Sequence, residues 1–568
     1  MRAERLRSWT PDRSASLQSN VWLSAALLFA VAVLIRLPGL DYFPRNDELY
    51  TVLAARGWLI DGVPRIGDGV YDRAPLFTML VAWFFQMFGE SLAVARLPAL
   101  IAGSLLVVAV YVWTRSVAGN LAAWIAALFV CFSPLSIQLS QYARFYTMFA
   151  LAFWLGAVGI YSLFEQRPGW RAGLLIATGA LLCLALSFRL QPLTIIGIVG
   201  LAIWVGLAVV IPWVWRLRGR PHLLWTIIAL AVLLLIVGAT GAIQTGIAGR
   251  FWHEFRTAPL HALPRANQVW FYQLELIERY PTLWPVFPFL ALLALATRPR
   301  PTLLCCCIFI PSFALLSLAA MKHFIYIYFA MPFLFVVWAV ALARLGYVVW
   351  RCIVSATERA LAQLTPDLPR RPLKWGLIAL GLLFLVVSNG APARTILKPF
   401  GIAMRADETS ADWTTATAAL QPWLGEASII LTPDDMHAMY YLGDYDIAVN
   451  PSRLSEIPGT GRVNAEEFSL DPRTGRPVVG TADSLGLIMA CYPDGLFVAD
   501  LTSYPAPWAT SESKAITSLI ERDMEPIDLP PKSGVVAFRW ERSDAIATPR
   551  ECASLPEPRT DDARSNGG

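Results

Sequence analysis

Residues 21–50 read VWLSAALLFAVAVLIRLPGLDYFPRNDELY. From Val21 to Ile35 the chain carries no charge, and Arg36-Leu37-Pro38 ends the run. Such a run suits a membrane helix. Arg2, Arg5, Arg7 and Arg13 precede it, which puts its N-terminal side in the cytoplasm. No small-x-small cleavage pattern follows, so an uncleaved first helix is expected rather than a signal peptide. Just where the chain should leave the bilayer, Arg45-Asn46-Asp47-Glu48 sets two carboxylates side by side.

The pattern of that run recurs along the chain. Of 568 residues, 56% are hydrophobic and 15% charged, against about a quarter charged in soluble domains. Long apolar runs between Val21 and Asn389 cause the deficit; after Ala393 the composition turns ordinary. The expected division is a polytopic α-helical membrane domain over 1–393, an extracytoplasmic α/β domain over 394–552 and a disordered tail over 553–568. The net charge of +5 is no argument for nucleic acid, because the basic residues sit in short loops as membrane topology demands.

Candidate spans lie near 21–37, 92–113, 120–135, 146–164, 171–187, 191–212, 223–247, 283–297, 302–320, 324–343 and 374–391. Leu76–Phe88 is apolar but short, and counting it as a crossing would put most later basic loops on the wrong side. Reading it as a helix at the outer face leaves about eleven crossings, with basic loops inside and the C-terminal domain outside. Residues 47–61 read as an amphipathic helix in the interface plane. In the C-terminal domain, Ser428–Leu431, Asp446–Val449, Pro477–Gly480, Gly495–Ala499 and Val535–Phe538 read as strands. Asp412–Leu424, Asp435–Tyr441, Thr481–Cys491 and Thr510–Asp523 read as helices. No glycine-rich phosphate loop occurs there, so nucleotide binding has no support. Cys491 and Cys552 could pair outside the cytoplasm, whereas the cysteines of the apolar runs read as filler.

Polar residues that topology does not explain gather on the outer side. Asp47 and Glu48 have two readings: carboxylates in a first helical turn behind an Asn46 cap, or a base able to take a proton from an attacking hydroxyl. Neighbours on a helix point about 100° apart, so one carboxylate could face a substrate while the other holds a partner. Asp72-Arg73-Ala74-Pro75 follows, with Pro75 suited to open a helix. Arg73 reads either as an anion site or as a contact to lipid headgroups. Arg96, and Arg144 within Gln141-Tyr142-Ala143-Arg144-Phe145-Tyr146, stand near helix starts, where function and snorkelling compete. Lys322-His323-Phe324-Ile325-Tyr326 suits phosphate binding or interfacial anchoring. His253, Glu254 and His261 lack metal-ligand spacing, so no metal and no cofactor is expected, a divalent ion being the lesser reading. A base with several cations at an outer lipid surface fits a lipid-linked phosphate.

These stretches resemble the membrane-embedded GT-C glycosyltransferases, in particular the protein O-mannosyltransferase and lipid A aminoarabinose transferase group (glycosyltransferase family 39 type). The matching pieces are Arg45-Asn46-Asp47-Glu48, Asp72-Arg73-Ala74-Pro75-Leu76, Phe88-Gly89-Glu90-Ser91, Ala95-Arg96-Leu97-Pro98 and Ser140–Tyr146. The likeness is strongest over 30–165 and continues as a hydropathy pattern to about 390. It implies a GT-C fold and transfer of a sugar (hexosyl or pentosyl) from a polyprenyl-phosphate donor, with inversion, to a glycolipid, polysaccharide or protein acceptor. It further implies Asp47 as base and Glu48 as its support or an acceptor contact. Arg73, Arg144, Lys322 and His323 would hold the donor phosphate, with Arg45, Asp72, Arg96, Tyr146 and Tyr326 binding substrate or supporting. Relatives carry a basic residue and two prolines at the second cluster; here Ala74 replaces the first proline. The implied setting is the cytoplasmic membrane, with the N-terminus inside and the C-terminal domain outside. A lipid-linked-sugar flippase is the alternative. Transporters often show matched halves, and none is evident here.

Overall fold

The structure is a computed structural model. It describes residues 16–40, 42–217, 268–320, 322–361, 411–451, 462–464, 467–504, 511–542, 552–553 and 555–557, with scattered positions between 222 and 249. The expected spans 223–247 (those positions aside) and 374–391, the cluster His253-Glu254 with His261, and nearly all of the tail lie outside the described residues. The chain forms two compact units. One comprises 1–40, 97–258 and 262–404; the other comprises 41–96, 259–261 and 405–568.

The first unit is helical. Its helices include α1 (Ser16–Arg36), α5 (Asn120–Phe132), α6 (Pro134–Ser140), α7 (Tyr146–Gln166), α8 (Trp170–Leu190) and α9 (Thr194–Val205), followed by Phe287–Thr297, Pro299–Leu318 and Met331–Leu361. α4 (Leu92–Ala118) contributes all but its first turn. Among the described residues six helices are long and apolar enough to cross a membrane, or seven if α5 and α6 count as one span. α5 covers most of the span expected over 120–135, and α6 meets it at 57°, the geometry of a broken span or a re-entrant loop. The break falls at Ser133-Pro134, where proline removes a backbone donor and forces the preceding residue out of the helical region.

Met331–Leu361 is the central helix. Its first turns, Met331–Ala341, are buried on every side, as expected of a helix apolar all round. Phe333 meets Trp154 at 4.6 Å, and Phe335 stacks on Phe129 at 5.6 Å. α8 is the opposite case. It packs on α7 through Gly156 and Gly159, where a Cβ would come within 2.7 Å of the Leu184 side chain and 2.8 Å of the Ala180 Cβ. Small residues of this kind let membrane helices approach closely. The rest of α8 exposes Trp170, Leu174, Leu175, Leu181 and Leu182, an apolar face suited to lipid.

The second unit is an α/β sandwich of three layers. Its six-stranded sheet runs β7 (Val478–Val479), β4 (Ile447–Val449), β3 (Ile430–Thr432), β8 (Asp494–Asp500), β10 (Val535–Glu541), β9 (Glu525–Ile527). The first four are parallel; β10 is antiparallel to both neighbours. Alternate residues serve opposite faces, as the strand period of two requires. Leu496 and Val498 enter a core with the helix Trp413–Glu426. Phe497 and Ala499 enter another with Ala482–Cys491 and Ser511–Asp523. Cys491 and Cys552 form a disulfide.

The segment that follows α1 belongs to this unit. α2 (Asn46–Asp61) contributes Leu49, Tyr50, Leu53 and Ala54 to the same core as Trp413, Ile430, Met436 and Val498. Of the apolar residues of this expected amphipathic helix, Leu49, Val52 and Leu53 are buried in protein, while Leu59 and Ile60 at its C-terminal end stay exposed. An amphipathic helix needs only an apolar partner, and the first core supplies one. After the two-residue hairpin β1 (Arg65–Ile66) and β2 (Gly69–Val70), α3 (Pro75–Phe88) opens on Pro75. α3 buries Phe77, Val81 and Phe85 and exposes Leu76, Met79, Trp83 and Met87.

Candidate active-site residues in the two units

The N-terminus of α2 separates the two carboxylates. Arg45, with extended backbone (φ −87°, ψ 151°), is the capping residue, and Asn46 is the first helical residue rather than the cap. Asp47 and Glu48 then fall in the first turn, where the helix dipole favours negative charge. Glu48 points inward and is 1% exposed. Its Oε2 accepts from Arg96 Nε at 2.7 Å and its Oε1 from Arg96 Nη2 at 2.8 Å. Oε1 also accepts the Arg45 backbone N–H at 3.4 Å, closing back over the helix start. Arg96, 2% exposed, uses Nη1 on the Tyr42 carbonyl at 2.8 Å. A two-pronged guanidinium–carboxylate pair of this kind fixes geometry as well as charge. Asp47, one position earlier, is exposed, as is Arg45. Glu48 and Arg96 are thus buried together, whereas the Asp47 side chain lies at the surface.

Asp72 and Arg73 are both exposed on the loop before α3. The loop is anchored by Tyr71, which stacks on Tyr50 of α2 with ring centres 5.5 Å apart. Ala74 adopts a left-handed conformation, φ 51° and ψ 53°. Proline, held near φ −65°, cannot take that geometry, which accounts for the missing first proline. Farther along, Arg56 Nη2 holds Glu90 at 2.6 Å, joining α2 to the turn before α4.

In the membrane unit, the turn after α6 holds Arg144, 2% exposed, with its guanidinium 5.4 Å from the Phe145 ring centre. Tyr146, buried, starts α7, and its ring lies 4.7 Å from that of Phe145. Lys322 is buried and donates through Nζ to the Ala319 carbonyl at 2.5 Å. His323 caps the 3-10 turn Phe324–Ala330, its Nδ1 accepting the Ile325 N–H at 3.2 Å. Its carbonyl accepts from the Tyr272 hydroxyl at 3.0 Å, and its ring meets that of Tyr326 edge-on at 6.1 Å. The structure therefore brings Arg45, Glu48 and Arg96 together in one unit, and Lys322, His323 and Tyr326 together in the other.

Two features escape a reading by motif. Arg36 ends α1 fully buried, donating to Ser140 Oγ and Ser136 Oγ at 3.0 Å each and to the Ala32 carbonyl at 2.9 Å. Gln141 Nε2 in turn donates to the Arg36 and Pro38 carbonyls. An arginine closing an apolar span was the available signal. The second feature is a polar group on the helical turn Asp435–His437 that contacts α2 and the residues before it, and no spacing in the sequence announces it. Among the described residues no group of three or more His, Cys, Asp or Glu could hold a metal ion.

No family model matches the sequence, and no curated protein matches it significantly. Solved structures do share its fold. ArnT from Cupriavidus metallidurans bound to undecaprenyl phosphate is 15% identical, matches 93% of this chain and 98% of its own, and superposes with a TM-score of 0.58. Its apo state gives 17% identity, 92% and 98% coverage and a TM-score of 0.59. The archaeal oligosaccharyltransferase AglB from Archaeoglobus fulgidus, in complex with an inhibitory peptide and a dolichol-phosphate, gives 14% identity, 88% and 72% coverage and 0.53. The chain is a polytopic membrane protein with a C-terminal α/β domain and has the GT-C fold of these proteins.

Proposed function

We propose that the chain transfers a sugar from a polyprenyl-phosphate donor to an acceptor hydroxyl or phosphate at the outer face of the cytoplasmic membrane. One observation carries the reading: of two adjacent carboxylates at a helix N-terminus, Glu48 is locked by Arg96 and Asp47 is left exposed. The fold likeness supports the substrate class, since the compared ArnT and AglB structures hold undecaprenyl phosphate and a dolichol-phosphate.

For a hydroxyl acceptor, Asp47 takes the hydroxyl proton as the oxygen attacks the anomeric carbon. The new C–O bond forms on the face opposite the leaving group, so the anomeric centre inverts. The bond from carbon to phosphate oxygen breaks with its electron pair on the polyprenyl phosphate. Arg73, Arg144, Lys322 and His323 are the groups assigned to that phosphate charge. Arg45, Asp72, Tyr146 and Tyr326 are assigned to substrate contact. A phosphate acceptor needs no proton removal, which leaves Asp47 to orient it. No cofactor or metal takes part in this scheme. The N-terminus is assigned to the cytoplasm and the C-terminal domain to the outside; the Cys491–Cys552 disulfide supports that side, because disulfides persist in oxidising compartments.

Purified protein is incubated with a panel of polyprenyl-phosphate sugars, comparing wild type with Asp47→Asn. Release of polyprenyl phosphate by wild type, lost in the variant, is the expected result. Transfer that survives Asp47→Asn refutes the base assignment. Lipid translocation without release from any donor would identify a flippase instead.

A further inference from the structure

We infer that His437, in the C-terminal domain, is a positioning residue for Asp47: it pins the backbone immediately before the helix that carries the base. This rests on the transferase reading for its catalytic consequence, and on the geometry alone for its structural one.

His437 Nε2 lies 3.1 Å from the carbonyl oxygen of Pro44. A carbonyl only accepts, so Nε2 carries the proton and donates. Pro44 is buried and directly precedes Arg45, the residue that caps α2. The carbonyl of Arg45 accepts the Glu48 N–H at 2.9 Å, the first bond of the helix. Asp47 therefore stands between two anchored points. On one side His437 holds Pro44; on the other Arg96 holds Glu48. Loosening either frees the turn that aims the exposed carboxylate.

The imidazole is itself held rigidly. Its ring stacks on Trp413 at 5.5 Å and 12°, and on Tyr441 at 6.5 Å and 5°. Burial pushes its pKa down, keeping it neutral and leaving one ring N–H to donate. Nδ1 is buried and makes no hydrogen bond among the described residues, so Nε2–H to Pro44 is the polar bond that orients the ring. A second clamp lies one turn along α2. The Tyr50 hydroxyl donates to Asp435 Oδ2 at 3.2 Å, and Arg473 sits 4.6 Å above the Tyr50 ring. Arg473 also pairs with Asp435 at 3.5 Å and with Asp471 at 2.8 Å. Two neighbouring residues of one helical turn, Asp435 and His437, thus grip the start of α2. A misplacement of about 1 Å can cost on the order of 100-fold in rate, so a clamp at this point has catalytic leverage without touching substrate.

The test uses the full chain in detergent with His437→Leu, which removes the donor, and His437→Gln, which restores one. Transfer kinetics are read beside amide hydrogen exchange over residues 45–49. The Leu variant is expected to lose about 10- to 100-fold in kcat at unchanged donor KM, with faster exchange at 45–49. The Gln variant recovers most of both, and in an Asp47→Asn background the Leu substitution adds nothing further. Unchanged exchange at 45–49 in His437→Leu overturns the inference whatever the protein's activity. Faster exchange with undiminished kcat overturns the positioning role while leaving the transferase reading standing. If wild type releases no polyprenyl phosphate, the transferase reading fails on its own, and the exchange experiment still decides the clamp.

Discussion

Replacing Glu48 by Gln removes the negative charge that Arg96 faces. Both side chains of the pair are 2% exposed, and the two bonds measure 2.7 and 2.8 Å. Breaking a buried ion pair from one side costs about 3–5 kcal/mol, because the remaining charge stays desolvated without a counter-charge. Gln keeps a carbonyl oxygen for one of the two guanidinium contacts, so about 3 kcal/mol is expected. Glu48→Ala, which keeps neither, should reach about 5 kcal/mol. For a body of 150–250 residues each kcal/mol moves the melting temperature by about 2–4 °C, so Glu48→Gln should lower it by roughly 6–12 °C. The assay is tryptophan fluorescence of the detergent-solubilised full chain during heating. The double variant Glu48→Leu with Arg96→Met should regain most of the loss, since an apolar pair of similar volume replaces a buried ion pair at little cost. A shift of under about 2 °C in Glu48→Gln, or a double variant as unstable as the two single losses added, would refute the assignment of Glu48 and Arg96 as a desolvated pair.

Ala74 sits at φ 51°, so Ala74→Gly should be neutral or raise stability by up to about 1 kcal/mol, whereas Ala74→Pro should destabilise by about 3 kcal/mol or more, both read as melting shifts. Gly159→Leu would drive its side chain into Ala180 of α8; about 1–3 kcal/mol of destabilisation is expected, with protease nicking in the 167–169 turn as its readout. Asp434 is buried under Asp500 and Ser503, and desolvation raises its pKa to about 7. Below the unfolded carboxylate pKa the group costs nothing. As pH rises the unfolded chain releases its proton first, so stability falls through the window from about 4 to about 7 and levels off above it. The loss is at most about 4 kcal/mol. Asp434→Asn should flatten that slope, and the melting difference between variant and wild type should grow from pH 5 to pH 8; a constant difference would show that Asp434 does not titrate there.

Much of the α/β domain was legible because its elements advertise themselves locally. The strand expected over Gly495–Ala499 is β8, and the helix expected over Thr510–Asp523 runs Ser511–Asp523. The short strand β9 at Glu525–Ile527 was not foreseen, since Glu525-Pro526-Ile527 carries no alternation of its own and pairs only because β10 offers an edge. In the membrane unit the apolar runs marked the helices, but the 57° bend at Ser133-Pro134 from α5 into α6, at the end of the expected span, was not foreseen. Arg36 was visible only as the end of a run, because its partners Ser136 and Ser140 lie about a hundred positions away.

The apolar runs recurring from Val21 to Asn389 therefore determined, from sequence alone, that this is a membrane protein, and the stretch from Val21 to Tyr50 displayed a pair of carboxylates following its first run. Hydropathy and helix signals are properties of neighbouring residues, and neighbouring residues are what a sequence displays. Tertiary structure decided the rest. An apolar helical face reads alike whether lipid or protein covers it, and only the fold shows that Leu49, Tyr50 and Leu53 enter the core of the α/β unit. Asp47 and Glu48 are chemically near-equal neighbours pointing about 100° apart. Which of them turns inward depends on Arg96, and how firmly the other is held depends on His437, nearly four hundred residues farther along the chain.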